Sequence, residues 1–188
     1  MRMRSLFVAG LLTVAGAAAA PGMGQTAVTV IGGGLAQACS QAVRTGRADR
    51  PLLELCTASL EQEALRRRDR AGTFVNRGVV QLRMRAFDDA LRDFERAERL
   101  NPVLGEVYVN RGAALISKAS YREALTEIDR GIALGVEDPE KAYYNRALAH
   151  EGLDDMKSAY LDYRKAAELN PEWTLPATQL TRFTVTRR

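Results

Sequence analysis

The chain repeats itself, and that limits what it can fold into more than any other feature. Three segments, FVNRGVVQL from Phe74, YVNRGAALI from Tyr108 and YYNRALAHE from Tyr143, begin 34 and 35 residues apart. Each is followed, at matching offsets, by an aromatic residue or Met (Phe87, Tyr121, Met156) and a small residue (Ala90, Ala124, Ala159). A large apolar residue (Phe94, Ile128, Tyr163) and a second small one (Ala97, Gly131, Ala166) come next. Apolar residues at helical spacing inside such a period describe two helices per unit. One pair cannot bury its own apolar face, so the units must stack, and a solenoid follows. Gly78, Gly112 and Ala147 are small where the first helix would cross the second. Pro102 and Pro171, each closing a Leu-Asn-Pro, stop the second helix. The middle unit ends Leu134-Gly135-Val136-Glu137-Asp138-Pro139, one residue long. The extra residue belongs in the turn, where Gly135 can take a left-handed conformation.

From Ala71 to Pro171 the pattern resembles the tetratricopeptide-repeat (TPR) family, with its alternation of aromatic and small residues closed by proline. The resemblance implies an all-α, right-handed TPR-type helical solenoid with a divergent N-terminal helical hairpin and a C-terminal capping helix. The organisation expected is a signal peptide at 1–24, a flexible leader at 25–34 and the hairpin at 35–70. Three repeats at 71–171 and a capping helix with its tail at 172–188 complete it.

The signal is read from Arg2 and Arg4, the uncharged run Leu6 to Ala20 and the small residues that follow. Cleavage is expected between Ala19 and Gln25, with no membrane insertion afterwards, because the run is short for a spanning helix. Two helices are expected beyond the leader, Leu35 to Thr45 and one from Asp49 and Pro51 to about Arg67. Cys39 and Cys56 fall on their inward faces. In an exported chain such a pair is expected to be a disulfide.

Removal of Arg2 and Arg4 lowers the formal charge from +4 to +2, which gives no reason to expect a nucleic-acid partner. Arg66-Arg67-Arg68 with Arg70 is a basic cluster without interleaved aromatics, read as a solvated helix end. His150 is the only histidine, and no catalytic constellation can be assembled around it. No metal or cofactor motif is present. Val28-Thr29-Val30-Ile31 before Gly32-Gly33-Gly34 imitates a strand and phosphate loop, but lacks the Gly-Lys-Ser/Thr signature and is discarded.

In proteins of the resembling family the first helices line a concave face where partner peptides lie. Carried over offset by offset, that face would present Val75, Val79, Leu82 and Arg83 from the first repeat. Val109, Asn110, Ala113 and Ile116 follow from the second, and Lys141, Tyr144 and Leu148 from the third. Of the five residues some members use to grip a carboxylate terminus, only Asn110 and Lys141 are kept; Val75, Val79 and Asn145 replace the others. The function expected is therefore a non-catalytic protein- or peptide-binding scaffold, secreted into a bacterial periplasm and using this groove. The alternative is a structural or oligomerising repeat protein whose groove is self-occupied, for which covered Val75, Val109 and Tyr144 would speak. Partner, pathway and oligomeric state are not specified.

One further expectation concerns charge. Arg77, Arg111 and Arg146 stand where the family more often has leucine, and Asp93, Glu127 and Asp162 follow each by 16 residues. That spacing puts arginine and acid on facing helices, where a buried guanidinium needs a partner. A neighbouring repeat could also supply the acid.

Overall fold

The computed structural model describes residues 2–5, 23–31 and 34–186. Among these, nine helices stack into an all-α solenoid. The first pair is α1 (Leu35–Arg44) and α2 (Arg50–Gln62). Three repeats follow: α3 (Arg67–Arg83) with α4 (Phe87–Leu100), α5 (Gly105–Ser117) with α6 (Tyr121–Leu134), and α7 (Pro139–Gly152) with α8 (Met156–Leu169). The terminal α9 (Thr174–Leu180) stands alone. A short antiparallel ribbon adds β1 (Arg2–Ser5) to β2 (Phe183–Thr186), with Arg2 opposite Thr186. The apolar run expected to be a signal, from Leu6 to Ala20, lies outside the described residues.

α2 ends at Gln62, earlier than the expected Arg67, and the next helix starts at Arg67, ahead of Ala71. The break frees Glu63 to cap α1. Its carboxylate accepts from the backbone N–H groups of Leu35 at 2.7 Å and Ala36 at 2.8 Å, and from the Ser59 hydroxyl at 2.8 Å. Those N–H groups have no partner within their own helix, and a carboxylate there also suits the helix dipole. Desolvation opposes the charge on Glu63, but the Ser59, Leu35 and Ala36 hydrogen bonds outweigh it and hold the carboxyl below its ordinary pKa. At the start of α2, Asp49 accepts from the Leu52 N–H at 2.9 Å, with Pro51 in the first turn.

Cys39 and Cys56 are bonded, with Cα atoms 5.1 Å apart, and staple α1 to α2. In the chain-entropy model a loop of this length is worth roughly 3 kcal/mol.

Within the repeats the small residues lie at close crossings. A Cβ on Gly78 would come 2.5 Å from Phe94 Cε1, and one on Gly112 would come 2.4 Å from Ile128 Cγ1. Real side chains do not fit at such distances. The turn between paired helices is the same in every repeat: Arg85, Ala119 and Asp154 all have positive φ, at 66°, 59° and 61°. The residue after each closes the turn onto the preceding helix, as when the Ser120 N–H bonds the Leu115 carbonyl at 2.9 Å. Gly135 has φ 85° and ψ 143°, a backbone region open essentially to glycine alone.

The expected ladder of ion pairs is present. Arg77 Nε donates to Asp93 at 2.7 Å, Arg111 Nε to Glu127 at 2.8 Å and Arg146 Nε to Asp162 at 2.7 Å. Each arginine also reaches beyond its own repeat. Arg77 donates to Thr57 Oγ1, Arg111 to Glu98 and Arg146 to Asp129. All three guanidinium groups lie over the aromatic ring three residues earlier, at 5.6, 5.2 and 5.1 Å from Phe74, Tyr108 and Tyr143. The arginines thus tie hairpin to repeat and repeat to repeat.

Candidate functional site: the concave groove

The groove formed by α3, α5 and α7 is filled by residues 23–31 of the chain itself. The segment expected to be a flexible leader is extended and largely buried, with Met23, Gly24, Thr26, Ala27, Val28 and Val30 out of solvent. Sequence reading missed this because no local signal shows where an extended segment will dock.

Three asparagines hold it. Asn145 of α7 accepts from the Gly24 N–H at 3.0 Å and donates to the Gly24 carbonyl at 2.8 Å. Asn110 of α5 does the same for Thr26, at 3.0 and 2.7 Å, and Asn76 of α3 for Val28, at 2.9 Å both ways. A carboxamide is the side chain that donates and accepts side by side, as a peptide unit does. In an extended strand the N–H and C=O of one residue face one edge and those of the next face the other, so the clamps fall on every second residue. The leader therefore runs against the repeat order, from the third repeat to the first. It then reaches α1, where the Ser40 hydroxyl donates to the Val28 carbonyl at 2.8 Å and accepts from the Val30 N–H.

The long turn of the middle repeat supplies the other edge. Glu137 accepts from the Thr29 N–H at 3.2 Å and the Thr29 hydroxyl at 2.6 Å, and is paired with Arg44 of α1. Its own N–H donates to Glu106 at 2.9 Å. Desolvation works against ionised Glu137, yet the Thr29 and Arg44 contacts keep its carboxyl below the ordinary value. Burial, with the nearby charges of Glu137 and Asp138, pushes Glu106 up, against the N–H groups it accepts from.

The residues expected to line the groove divide into two sets. Val75, Val79, Leu82 and Ala113 share a buried cluster with Met23, Ala27 and Val28. Ile116 and Leu148 are half-buried against that cluster, and Asn110 is the central clamp. Lys141 sets its Cβ against Gly24 and its Nζ 2.7 Å from Asp138. Arg83 donates to the carbonyls of Val43 and Arg47 at the end of α1 and to Gln25 of the leader. Burial lowers its pKa. Val109 and Tyr144 are not groove residues. Val109 packs among Ala124, Ile128 and Ala142, while the Tyr144 ring meets Tyr163 and Trp173 at 5.3 and 4.9 Å. These two side chains turn inward, between stacked helices, where an apolar side chain is buried without any ligand.

Asn76 is not among the residues expected to line the groove, and Asn145 enters the sequence analysis only as a departure from the carboxylate grip. The signal was available: an asparagine recurs at one offset of all three first helices, where packing alone would favour an apolar residue. Among the described residues no group of three or more His, Cys, Asp or Glu is placed to hold a metal ion. No described helix is long and apolar enough to cross a membrane.

The model of the tetratricopeptide repeat matches residues 140–172, which are α7 and α8. The α7–α8 pair is a tetratricopeptide repeat, and the two pairs before it keep its period. The Hsp70-Hsp90 organizing protein of Triticum aestivum is 36% identical over 85 residues, which are 45% of this chain and 14% of that protein. The chain thus spans less than a sixth of that relative's length. Among solved structures, the TPR domain of Arabidopsis OM64 superposes with a TM-score of 0.57 at 22% identity, covering 62% of this chain and 96% of that one. The first TPR of Spaghetti (RPAP3), bound to the HSP90 peptide SRMEEVD, gives 0.56 at 21% identity, covering 61% and 90%. At such identities the likeness concerns the fold alone.

Proposed function

We propose that this TPR protein is an exported, non-catalytic protein-binding scaffold of a bacterial periplasm, with its concave groove closed at rest by its own leader. The observation that carries the reading is the set of three asparagine clamps on Gly24, Thr26 and Val28. It favours a self-occupied groove over an open one, since Met23 already meets Ser117, Gly24 meets Lys141 and Val28 meets Gly72. A binding role is supported by the fold and by the peptide complex of the RPAP3 domain. Partners then either displace the leader or use the outer faces of the second helices. Export is supported by the basic, apolar and small-residue succession at the N-terminus and by the disulfide.

Two measurements test this. Hydrogen exchange on the full chain is expected to show the amides of Gly24, Thr26 and Val28 as protected as those of the core helices; exchange at random-coil rates sinks the closed groove. Sequencing the N-terminus of protein from its native compartment is expected to place the start at or before Met23. That processing removes β1 and keeps Gly24 for Asn145. An unprocessed chain, or one beginning at Gln25 or later, overturns the reading.

A further inference from the structure

The groove accepts a particular kind of strand, and its selectivity is built from three subsites. At the third repeat, a Cβ on Gly24 would lie 2.6 Å from Lys141 Cβ and 2.8 Å from its Cα, so the backbone wall admits only glycine. At the second, Thr26 is fully buried and its hydroxyl accepts from Asn110 Nδ2 at 3.1 Å. At the first, Val28 Cγ1 sits where a Cβ on Gly72 would come within 2.8 Å, so a missing side chain on α3 makes room for a branched one on the strand. The site reads Gly-x-Thr-x-Val in an extended conformation, entering from the third repeat.

We infer that this site also takes the leader of a second copy of the chain, giving dimers that exchange residues 23–31. This rests on the closed-groove reading above. The clamps, the Ser40 and Glu137 contacts and the apolar packing are all noncovalent contacts from the body of the molecule to the strand. A strand from another copy can therefore make each of them unchanged. In the sequence Gly32-Gly33-Gly34 separates the leader from α1, and glycine populates the widest range of backbone conformations. Every other copy carries the matching pattern. A short tether gives the cis leader an effective concentration on the order of millimolar, so exchange emerges at high protein concentration or when the cis leader is weakened.

The test uses full chains and a fluorescent peptide of residues 23–31. Gly24→Leu weakens the cis leader while leaving Asn76, Asn110 and Asn145 in place. By anisotropy, the peptide is expected to bind Gly24→Leu protein at least tenfold more tightly than wild type, with a scrambled peptide showing no binding. Mixing Gly24→Leu protein with a chain carrying Asn76→Ala, Asn110→Ala and Asn145→Ala is expected to give a one-to-one complex by sedimentation, since one supplies a sound groove and the other a sound leader. If the triple variant does not fold, the peptide arm decides alone. No peptide binding to helical Gly24→Leu protein, or equal binding of the scrambled peptide, overturns the inference. In that case protected Gly24, Thr26 and Val28 amides in wild type leave the closed groove standing, whereas their rapid exchange removes both readings.

Discussion

Asn110 shows how one side chain can hold a segment that makes no secondary structure of its own. It is fully buried and satisfies both polar backbone groups of Thr26 as well as its hydroxyl. In Asn110→Ala two buried backbone groups lose their partners, at roughly 1–3 kcal/mol for each one left unsatisfied. The variant is expected to lose about 2 kcal/mol in denaturant titration, with the Thr26 amide showing the largest rise in exchange. Glu106 lies nearby with the opposite character, a buried carboxylate whose pKa is raised chiefly by desolvation. A carboxyl raised on folding lowers stability once pH passes its unfolded pKa, because the unfolded chain then releases its proton first. Glu106→Gln keeps the acceptor for the Glu137 N–H and removes the charge. It is expected to raise the melting temperature at pH 7, with the gain shrinking toward zero as pH falls below about 4.

At the level of elements, the paired helices are joined by turns whose sequences differ but whose backbones agree. Arg85, Ala119 and Asp154 each take a left-handed conformation that costs an L-residue roughly 1–2 kcal/mol. Glycine avoids that cost but loses more entropy on folding. Ala119 is exposed, so Ala119→Gly is expected to stabilise the protein by about 0.5–1 kcal/mol in chemical denaturation; a loss of stability would mean that the turn is not left-handed in solution. The turn between α6 and α7 works differently. Its additional residue and Gly135 carry Glu137 out to Thr29 and Arg44, so a departure from the repeat became a contact for the leader.

Across the whole molecule, the arginine ladder adds polar links between helices that the apolar core already stacks. Asp93 is almost fully buried and receives Arg77 through two hydrogen bonds and Arg96 through one. Removing one member of such a group strands the other charge, at about 3–5 kcal/mol, whereas replacing both with apolar residues is often near neutral. Asp93→Ala is therefore expected to lose several kcal/mol by urea titration. Arg77→Leu combined with Asp93→Leu should recover most of it, and a double variant as unstable as the single one would contradict this account.

Periodicity decided most of this protein. The spacing of Phe74, Tyr108 and Tyr143, with small residues at fixed offsets, is a local and repeated signal, and it determined helix pairing, the close crossings at Gly78 and Gly112, and the arginine–acid ladder. The cysteine pair was also legible, because both residues fall on the inner faces of consecutive helices. What only the tertiary structure decided was the fate of residues 23–31. Val28 to Ile31 reads as strand-forming, but an extended segment has no internal hydrogen bonds to declare its place, and the asparagines that clamp it lie 48 to 121 residues away in the chain. The division among Val75, Val109 and Tyr144 was equally out of reach of the repeat pattern. They share one offset, yet Val75 belongs to the large core cluster that also takes in Met23, Ala27 and Val28, while Val109 and Tyr144 belong to separate clusters of the later repeats. The neighbours that make this difference come from other parts of the chain, and they meet only when the solenoid closes around its leader.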